Sequence, residues 1–83
     1  MITAQQKATE LVNMYYNSTA KNQAQAIQYA ENAIFTRMCQ EVDDIHIHIN
    51  EWDFDLVKSR LKILKWNQEV AAELQRMTNA LPV

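Results

Sequence analysis

Apolar residues recur every three or four positions along most of the chain, the spacing that places side chains on one face of an α-helix. In the first segment the pattern is carried by Ala4, Ala8, Leu11 and Tyr15. Thr3 followed by Gln6 forms a capping-box pattern just ahead of it. These signals predict a first helix from about Ala4 to Tyr16, with a turn at Asn17-Ser18-Thr19.

A second stripe predicts a helix that begins near Ala20. Its members, again three or four apart, are Ile27, Ala30, Ile34, Met38, Val42 and Ile45. Alanines 26 and 33 lie beside the stripe and would let another helix approach closely. Residues 45–49 alternate isoleucine and histidine with the period of a strand. Because the chain has no second strand candidate, we expect a fraying helix end and a loop there.

The third predicted helix runs from about Glu51 to Thr78, with Asn50 as its N-cap, acids in its first turn and a kink in its middle left open. It carries two adjoining apolar rows, Val57, Leu61, Leu64 and Ala71 in one and Ile63, Trp66, Val70, Leu74, Met77 and Leu81 in the other. Such a wide face predicts either a helix between the other two or one that packs partly on another subunit. Pro82 is expected to stop the helix.

The fold class predicted from these elements is all-α, a compact three-helix bundle-like domain formed by residues 1–83 with a long C-terminal helix. A chain of 83 residues buries only roughly 60–65% of its unfolded surface. The single Cys39 excludes an intrachain disulfide that would compensate for the small core. We therefore expect a homo-oligomer.

Composition excludes several kinds of site. The chain has no glycine, and its single proline is the next-to-last residue. Phosphate-binding loops, dinucleotide fingerprints and nucleophile elbows all need glycine. A net charge of −2 argues against general nucleic-acid binding. One cysteine, no basic leader and no long apolar run predict a cytoplasmic protein without membrane contact.

The charges are unevenly placed. The acidic residues Glu41, Asp43, Asp44, Glu51, Asp53 and Asp55 come first, and the basic residues Lys58, Arg60, Lys62 and Lys65 follow at once. The two groups are either solvated helix surfaces or a dipole that pairs with its copy in an antiparallel neighbour. Lys58, Lys62 and Lys65 share a helix face and are the candidate ligand-binding residues for a small anion, although three lysines on one face are more often only solvated.

Aromatic residues supply the candidate interface. Trp66 falls on a long apolar row and is expected in the core. Trp52 and Phe54 lie in the first turn after a loop, where three helices account for them less well. Exposed aromatic side chains of this kind serve an oligomer interface or a base-stacking pocket.

Candidate catalytic and metal chemistry centres on Cys39. On one helix Cys39, Asp43 and His46 would share a face, which is compatible with zinc, but His48 would then lie on the far side. A cysteine at helical spacing is more often a small core residue, and no arrangement here activates it as a nucleophile. We therefore predict no metal, no cofactor and no catalytic residue, that is, a protein that is not an enzyme.

Three segments carry a resemblance to a known group of proteins. They are Lys7-Ala8-Thr9-Glu10-Leu11-Val12, the Ala30 to Ile45 stretch that ends in Glu41-Val42-Asp43-Asp44-Ile45, and residues 66–74, Trp66-Asn67-Gln68-Glu69-Val70-Ala71-Ala72-Glu73-Leu74. Together they resemble the small helical proteins of crAss-like, Bacteroidetes and marine tailed phages. Asp44, Ala71 and the segment from His46 to Trp52 depart from that pattern.

The resemblance implies a phage gene expressed in the cytoplasm of an infected bacterium. It implies no catalytic residue. We expect a non-enzymatic helical protein that inhibits or sequesters a host component, either a defence protein or a small anionic signalling nucleotide. The alternative is a small structural or assembly protein of the virion.

Overall fold

The computed structural model describes residues 2–81 and contains three helices within them. They are α1 (Ala4–Ser18), α2 (Gln23–Asn50) and α3 (Phe54–Asn79). No strand occurs in residues 2–81. The prediction of an all-α, three-helix bundle with a long C-terminal helix is confirmed; Pro82 lies outside the described residues.

Helix α1 begins at the capping box that the sequence indicates. The Gln6 amide donates to Thr3 Oγ1 at 3.1 Å, and the Thr3 amide donates to Gln6 Oε1 at 2.9 Å. These two bonds satisfy amides that a helix start otherwise leaves without partners. The predicted turn at residues 17–19 is displaced, because α1 continues through Ser18.

Helix α2 begins three residues later than expected. Asn22 is its N-cap, and the Gln25 amide donates to Asn22 Oδ1 at 2.8 Å. The expectation of a loop at residues 45–50 is wrong, because α2 continues to Asn50. A helix satisfies the backbone of this segment without a strand partner, and it buries Ile45 to 8% exposure.

The connection between α2 and α3 is only three residues long. Asp53, not the predicted Asn50, is the N-cap of α3, and the Leu56 amide donates to Asp53 Oδ1 at 3.3 Å. So short a connection makes α2 and α3 antiparallel. Two contacts along the pair agree: Arg60 with Glu41, and Thr78 with Glu31.

The core lies between all three helices at one end of the molecule. Its buried residues are Ala8, Leu11, Val12, Ala26, Ile27, Ala30, Ile34, Val70 and Leu74. Trp66 is partly buried and packs against this cluster rather than within it. The row of α3 that contains Val70 and Leu74 therefore faces the other two helices. This agrees with the first of the two alternatives drawn from the sequence, a helix that lies between the other two.

Helix α1 covers only half of the other two. It has 15 residues against 28 in α2 and 26 in α3. At 1.5 Å per residue α1 is about 22 Å long, whereas α2 is about 42 Å long. The molecule measures 47 × 22 × 22 Å. We call α2 from Met38 to Asn50 and α3 from Phe54 to Gln68, together with their connection, the two-helix half.

Within residues 2–81, none of the helices combines the length and the apolar character that crossing a membrane requires.

Candidate binding surface

Exposed apolar side chains are concentrated in and beside the two-helix half. Twelve large hydrophobic residues of the described chain are exposed, and nine of them lie between positions 35 and 63. The nine are Phe35, Val42, Ile47, Ile49, Trp52, Phe54, Leu56, Leu61 and Ile63. Exposed apolar side chains that are concentrated in one part of a small protein indicate a site of interaction. This half of the molecule is therefore the candidate site.

Trp52 and Phe54 lie at the end of the molecule farthest from α1, where the chain turns from α2 into α3. Their rings pack edge to face, with centroids 6.0 Å apart and planes at 85°. Trp52 is nevertheless 78% exposed and Phe54 52% exposed. The structure thus brings the two aromatic candidates together at this end, which we call the tip.

The backbone of Trp52 has an unusual conformation. Its φ is 60°, in the left-handed region, and it is the one non-glycine residue with positive φ among residues 2–81. The Asp53 amide donates to His48 O at 2.9 Å and the Trp52 amide to Ile49 O at 3.1 Å. This is the Schellman ending of a helix, in which glycine usually occupies the left-handed position. A side chain there costs about 1–2 kcal/mol.

The three candidate lysines share one exposed face of α3. Lys58, Lys62 and Lys65 are all exposed, and none forms an ion pair within 4.0 Å with another of residues 2–81. Lys58 is four residues from Phe54 and is therefore its neighbour along the helix. The lysine face begins beside the tip, so the aromatic pair and the lysines form one continuous surface.

A groove runs between α2 and α3 on the side away from α1. Its volume is about 320 Å³, and its lining includes Phe35, Met38 and Val42 from α2, with Leu64 and Gln68 from α3. Asp43 lies on its rim. Phe35 is 67% exposed. The groove is apolar at its floor and open to solvent along its length.

The opposite side of the two-helix half is mixed: it carries a group of charged residues, while Ile47, Leu56 and Ile63 are exposed away from the groove. Arg60 Nη1 lies 3.3 Å from Glu41 Oε1 and 3.9 Å from Asp44 Oδ2. The Glu41 side chain is only 14% exposed, and its Oε2 is buried without a hydrogen-bond partner. His48 Nδ1 is likewise buried without a hydrogen bond, 3.7 Å from a Glu51 carboxylate oxygen.

Heptad spacing explains this change of character. Positions 27, 34, 41 and 48 form one row of α2, and its residues change from isoleucine to Glu41 and His48. Positions 74, 67 and 60 form one row of α3, and they change from leucine to asparagine and arginine. Both rows become polar near the level where α1 ends, and their polar residues stay largely covered: Asn67 is 6% exposed, and the side chains of Glu41 and His48 are 14% and 18% exposed.

The expectation that Cys39 is a core residue is wrong: its thiol is exposed. It lines the groove rather than the core, because the row it occupies on α2 faces away from α1. Within residues 2–81 no three or more His, Cys, Asp or Glu side chains are arranged to hold a metal ion.

The sequence patterns assign no site to Phe35, and they give Arg60 and Leu61 only a place in a basic group and an apolar row that face another subunit in one of the alternatives. The signal for the groove was present, because Phe35, Val42 and Ile49 are spaced by seven residues and form one helix stripe. This stripe is hard to recognise because Val42 also belongs to the stripe that predicts the core. The partner of Arg60 is 19 residues away in sequence, so local spacing carries no signal for that contact.

No family model, curated protein or solved structure matches this chain.

Proposed function

We propose that this protein is a non-enzymatic helical binding module that captures a partner protein through its tip. The observation that carries the proposal is Trp52, which is 78% exposed and held at a φ of 60°. Strained backbone and exposed tryptophan both cost stability in the isolated chain. Their joint presence at one position supports a role in binding rather than in folding.

The chemistry of the tip defines the partner. A tryptophan packed against a phenylalanine supplies a large, stiff anchor for an apolar pocket. Lys58 beside Phe54 adds positive charge, and Lys62 and Lys65 extend it along α3. Glu51, Asp53 and Asp55 add negative charge around the same turn, so the surface fits a protein with an apolar pocket whose rim carries basic groups toward the turn and acidic groups toward α3. Following the resemblance to small phage proteins, we propose that the partner is a host protein that is inhibited or sequestered.

The test compares the wild type with a Trp52→Ala variant and a matched control, Ile47→Ala. Ile47 is 51% exposed in the last turn of α2, five residues before Trp52, and is not part of the aromatic pair. Each protein is immobilised and exposed to an extract of the host bacterium. We expect a partner that the wild type and Ile47→Ala retain at equal levels and Trp52→Ala loses. Equal retention by all three proteins would contradict the proposal.

A small anionic nucleotide is the other ligand that this surface could hold, since a base can stack on Trp52 while lysines contact the phosphate. A nucleotide ligand predicts a different result from a protein partner. Anionic nucleotides would raise the melting temperature of the wild type, and Lys58→Ala or Lys62→Ala would abolish that rise. That outcome would replace the protein partner with a nucleotide.

A structural role in the virion is the second candidate function. The elongated shape and the open apolar groove between α2 and α3 favour it, because both suit a fixed place in an assembly. Mass spectrometry of purified particles distinguishes the two functions. A virion component is present in fixed copy number, whereas an inhibitor is absent.

A further inference from the structure

We propose that two copies of the chain associate through the groove between α2 and α3, with their tips at the same end of the dimer. The dimer face consists of the exposed residues Phe35, Val42, Ile49, Phe54 and Leu61, together with the groove floor at Met38, Val57 and Leu64. The occupant of the groove is then the same groove of a second copy. This inference does not rest on the partner proposed for Trp52, although the dimer face shares Phe54 with the tip and Lys58 and Lys65 with the lysine face.

The dimer face lies on the opposite side of α2 from α1. Tyr15 of α1 packs on Tyr29 with ring centroids 6.0 Å apart, and it lines a groove with Ala33. Ala33 and Val42 are nine residues apart, which is half a turn of rotation around the helix at 100° per residue. Helix α1 therefore cannot cover Val42, and the face has no partner within one copy.

The floor of this face at Met38 continues from the core, whereas its exposed residues do not. Of the rows that extend the core into the two-helix half, one on α2 becomes polar at Glu41 and His48 and one on α3 at Asn67 and Arg60, while Ile45, Ile63 and Leu56 keep others apolar. On the other side of the same helices the apolar spacing continues to Ile49 and Phe54. A two-helix hairpin in water gains nothing from keeping that side apolar. Contact with another copy accounts for it.

The exposed apolar side chains of this face supply more than half of the area that a dimer needs. Phe35 is 67% exposed and Phe54 52%, and Val42, Ile49 and Leu61 are 40%, 45% and 48% exposed. At roughly 200 Å² for a large side chain, these five expose on the order of 500 Å². A standard interface buries about 800 Å² per partner. The stems of the flanking lysines add further apolar surface at the rim.

Charge selects the relative orientation of the two copies. Two-fold symmetry allows two ways of facing the grooves: helix α2 lies either on α3 of the other copy or on α2 of the other copy. On the α2 rim Asp43 is acidic, and α2 from Met38 to Asn50 carries no lysine or arginine. The α3 rim carries Lys58 and Lys65, the i−3 and i+4 neighbours of Leu61.

Placing α2 on α3 of the second copy brings Asp43 opposite the lysine rim twice in one dimer. The other orientation places acid against acid and lysine against lysine, which is unfavourable at close range. The favoured dimer is a four-helix bundle in which both hairpins point the same way. It presents two copies of Trp52 side by side, so a partner with two sites would bind both.

The association is tested by the molar mass in solution between about 5 µM and 1 mM, measured by light scattering or sedimentation equilibrium. We expect the wild type to reach twice 9.7 kDa. Leu61→Glu places a charge in the face and should weaken association at least 100-fold, about 2.7 kcal/mol or more. Ile63→Glu is the control, since Ile63 is 42% exposed but lies about 160° around the helix from Leu61, away from the groove.

Three outcomes would overturn the proposal. They are a wild type that is monomeric up to 1 mM, equal mass for Leu61→Glu and the wild type, or equal loss of association in both glutamate variants. Circular dichroism confirms that each variant remains helical. Trp52→Ala should leave the mass at twice the monomer value. Failure of the tip proposal therefore remains distinguishable from failure of the dimer.

The orientation is tested by the distance between two spin labels. Cys39 is the only cysteine, so a Cys39→Ser, Gln28→Cys chain carries one label per copy. Gln28 is 14 residues, about 21 Å, from the level of Val42. With the tips at the same end, the labels should be less than about 25 Å apart across the bundle. A separation of about 40 Å would show the opposite orientation and overturn this part of the proposal.

Discussion

Arg60 and Glu41 join the two long helices at a point that α1 does not reach, with Nη1 of Arg60 3.3 Å from Oε1 of Glu41. The Glu41 carboxylate is 14% exposed and has no other hydrogen-bond partner on its second oxygen. Arg60 also lies 3.9 Å from Asp44. Glu41 lies on the same row of α2 as Ile34, and Arg60 lies on the same row of α3 as Leu74. The ion pair therefore takes the place in the two-helix half that these two apolar residues take beside α1.

Removal of Arg60 should therefore destabilise the fold. Arg60→Ala leaves a largely buried carboxylate without its donor, so we expect a loss of about 1–2 kcal/mol in the free energy of unfolding, measured in urea. The matched control is Arg76→Ala. Arg76 also contacts a glutamate, Glu73, at 3.2 Å, but it is 77% exposed. Its loss should cost less than about 0.5 kcal/mol. Equal costs for the two variants would contradict the structural role of the Arg60 contact.

Replacing Trp52 by glycine should stabilise the protein. Glycine adopts a φ of 60° without the steric cost that a side chain imposes, so we expect a gain of about 1 kcal/mol in the free energy of unfolding. Trp52→Ala retains the β-carbon and should give no such gain. A Trp52→Gly chain no more stable than Trp52→Ala would show that the φ of 60° imposes no steric cost on a side chain at this position.

The stability of the protein should depend on the core that all three helices form rather than on the two-helix half. Ile34 is 1% exposed, and Ile34→Val removes one buried methyl group at a cost of about 1 kcal/mol. Ile47 is 51% exposed, and Ile47→Val should change stability by no more than about 0.3 kcal/mol. Both substitutions are the same chemical change, so urea unfolding of the pair isolates burial. Similar losses of stability at the two positions would show that Ile47 is buried to the same extent as Ile34, which would contradict the structure.

Helix α1 should depend on its first cap. It has 15 residues, a length at which isolated helices are marginal, and Thr3 Oγ1 accepts a hydrogen bond from the Gln6 amide. Thr3→Ala should cost about 1 kcal/mol. Thr36→Ala is the control, because the Thr36 hydroxyl only donates to the Asn32 carbonyl within α2. Its removal should be neutral or slightly stabilising. A Thr3→Ala chain as stable as the wild type would show that the capping box contributes nothing.

The sequence predicts the helices better than their ends. The capping box at Thr3 is a local signal and is confirmed. The alternation of isoleucine and histidine at residues 45–49 misleads, because the helix that buries Ile45 against α3 is favoured by tertiary contacts that no local pattern contains. The αL position at Trp52 could not be predicted, since the rules for helix ends expect glycine or asparagine there.

Of the candidate site, the aromatic pair and the lysine face could be read from the chain, and the structure places them side by side. Their position at a tip could not, because it depends on where α1 ends relative to the two longer helices. The groove at Phe35 and Val42 required knowledge of which side of α2 contacts α1. That choice is made by the alanines at 26, 30 and 33, which allow the close approach of a neighbouring helix.

The two connections between helices are short, and both are closed by hydrogen bonds. Asn22 and Asp53 cap the helices that follow them, and the backbone of residues 51–53 is bonded back into α2. The Trp52 ring is therefore presented on a preorganised turn rather than on a mobile loop. A partner that binds it gives up little conformational entropy in ordering the tip, so a small contact area can support a tighter complex than its size suggests.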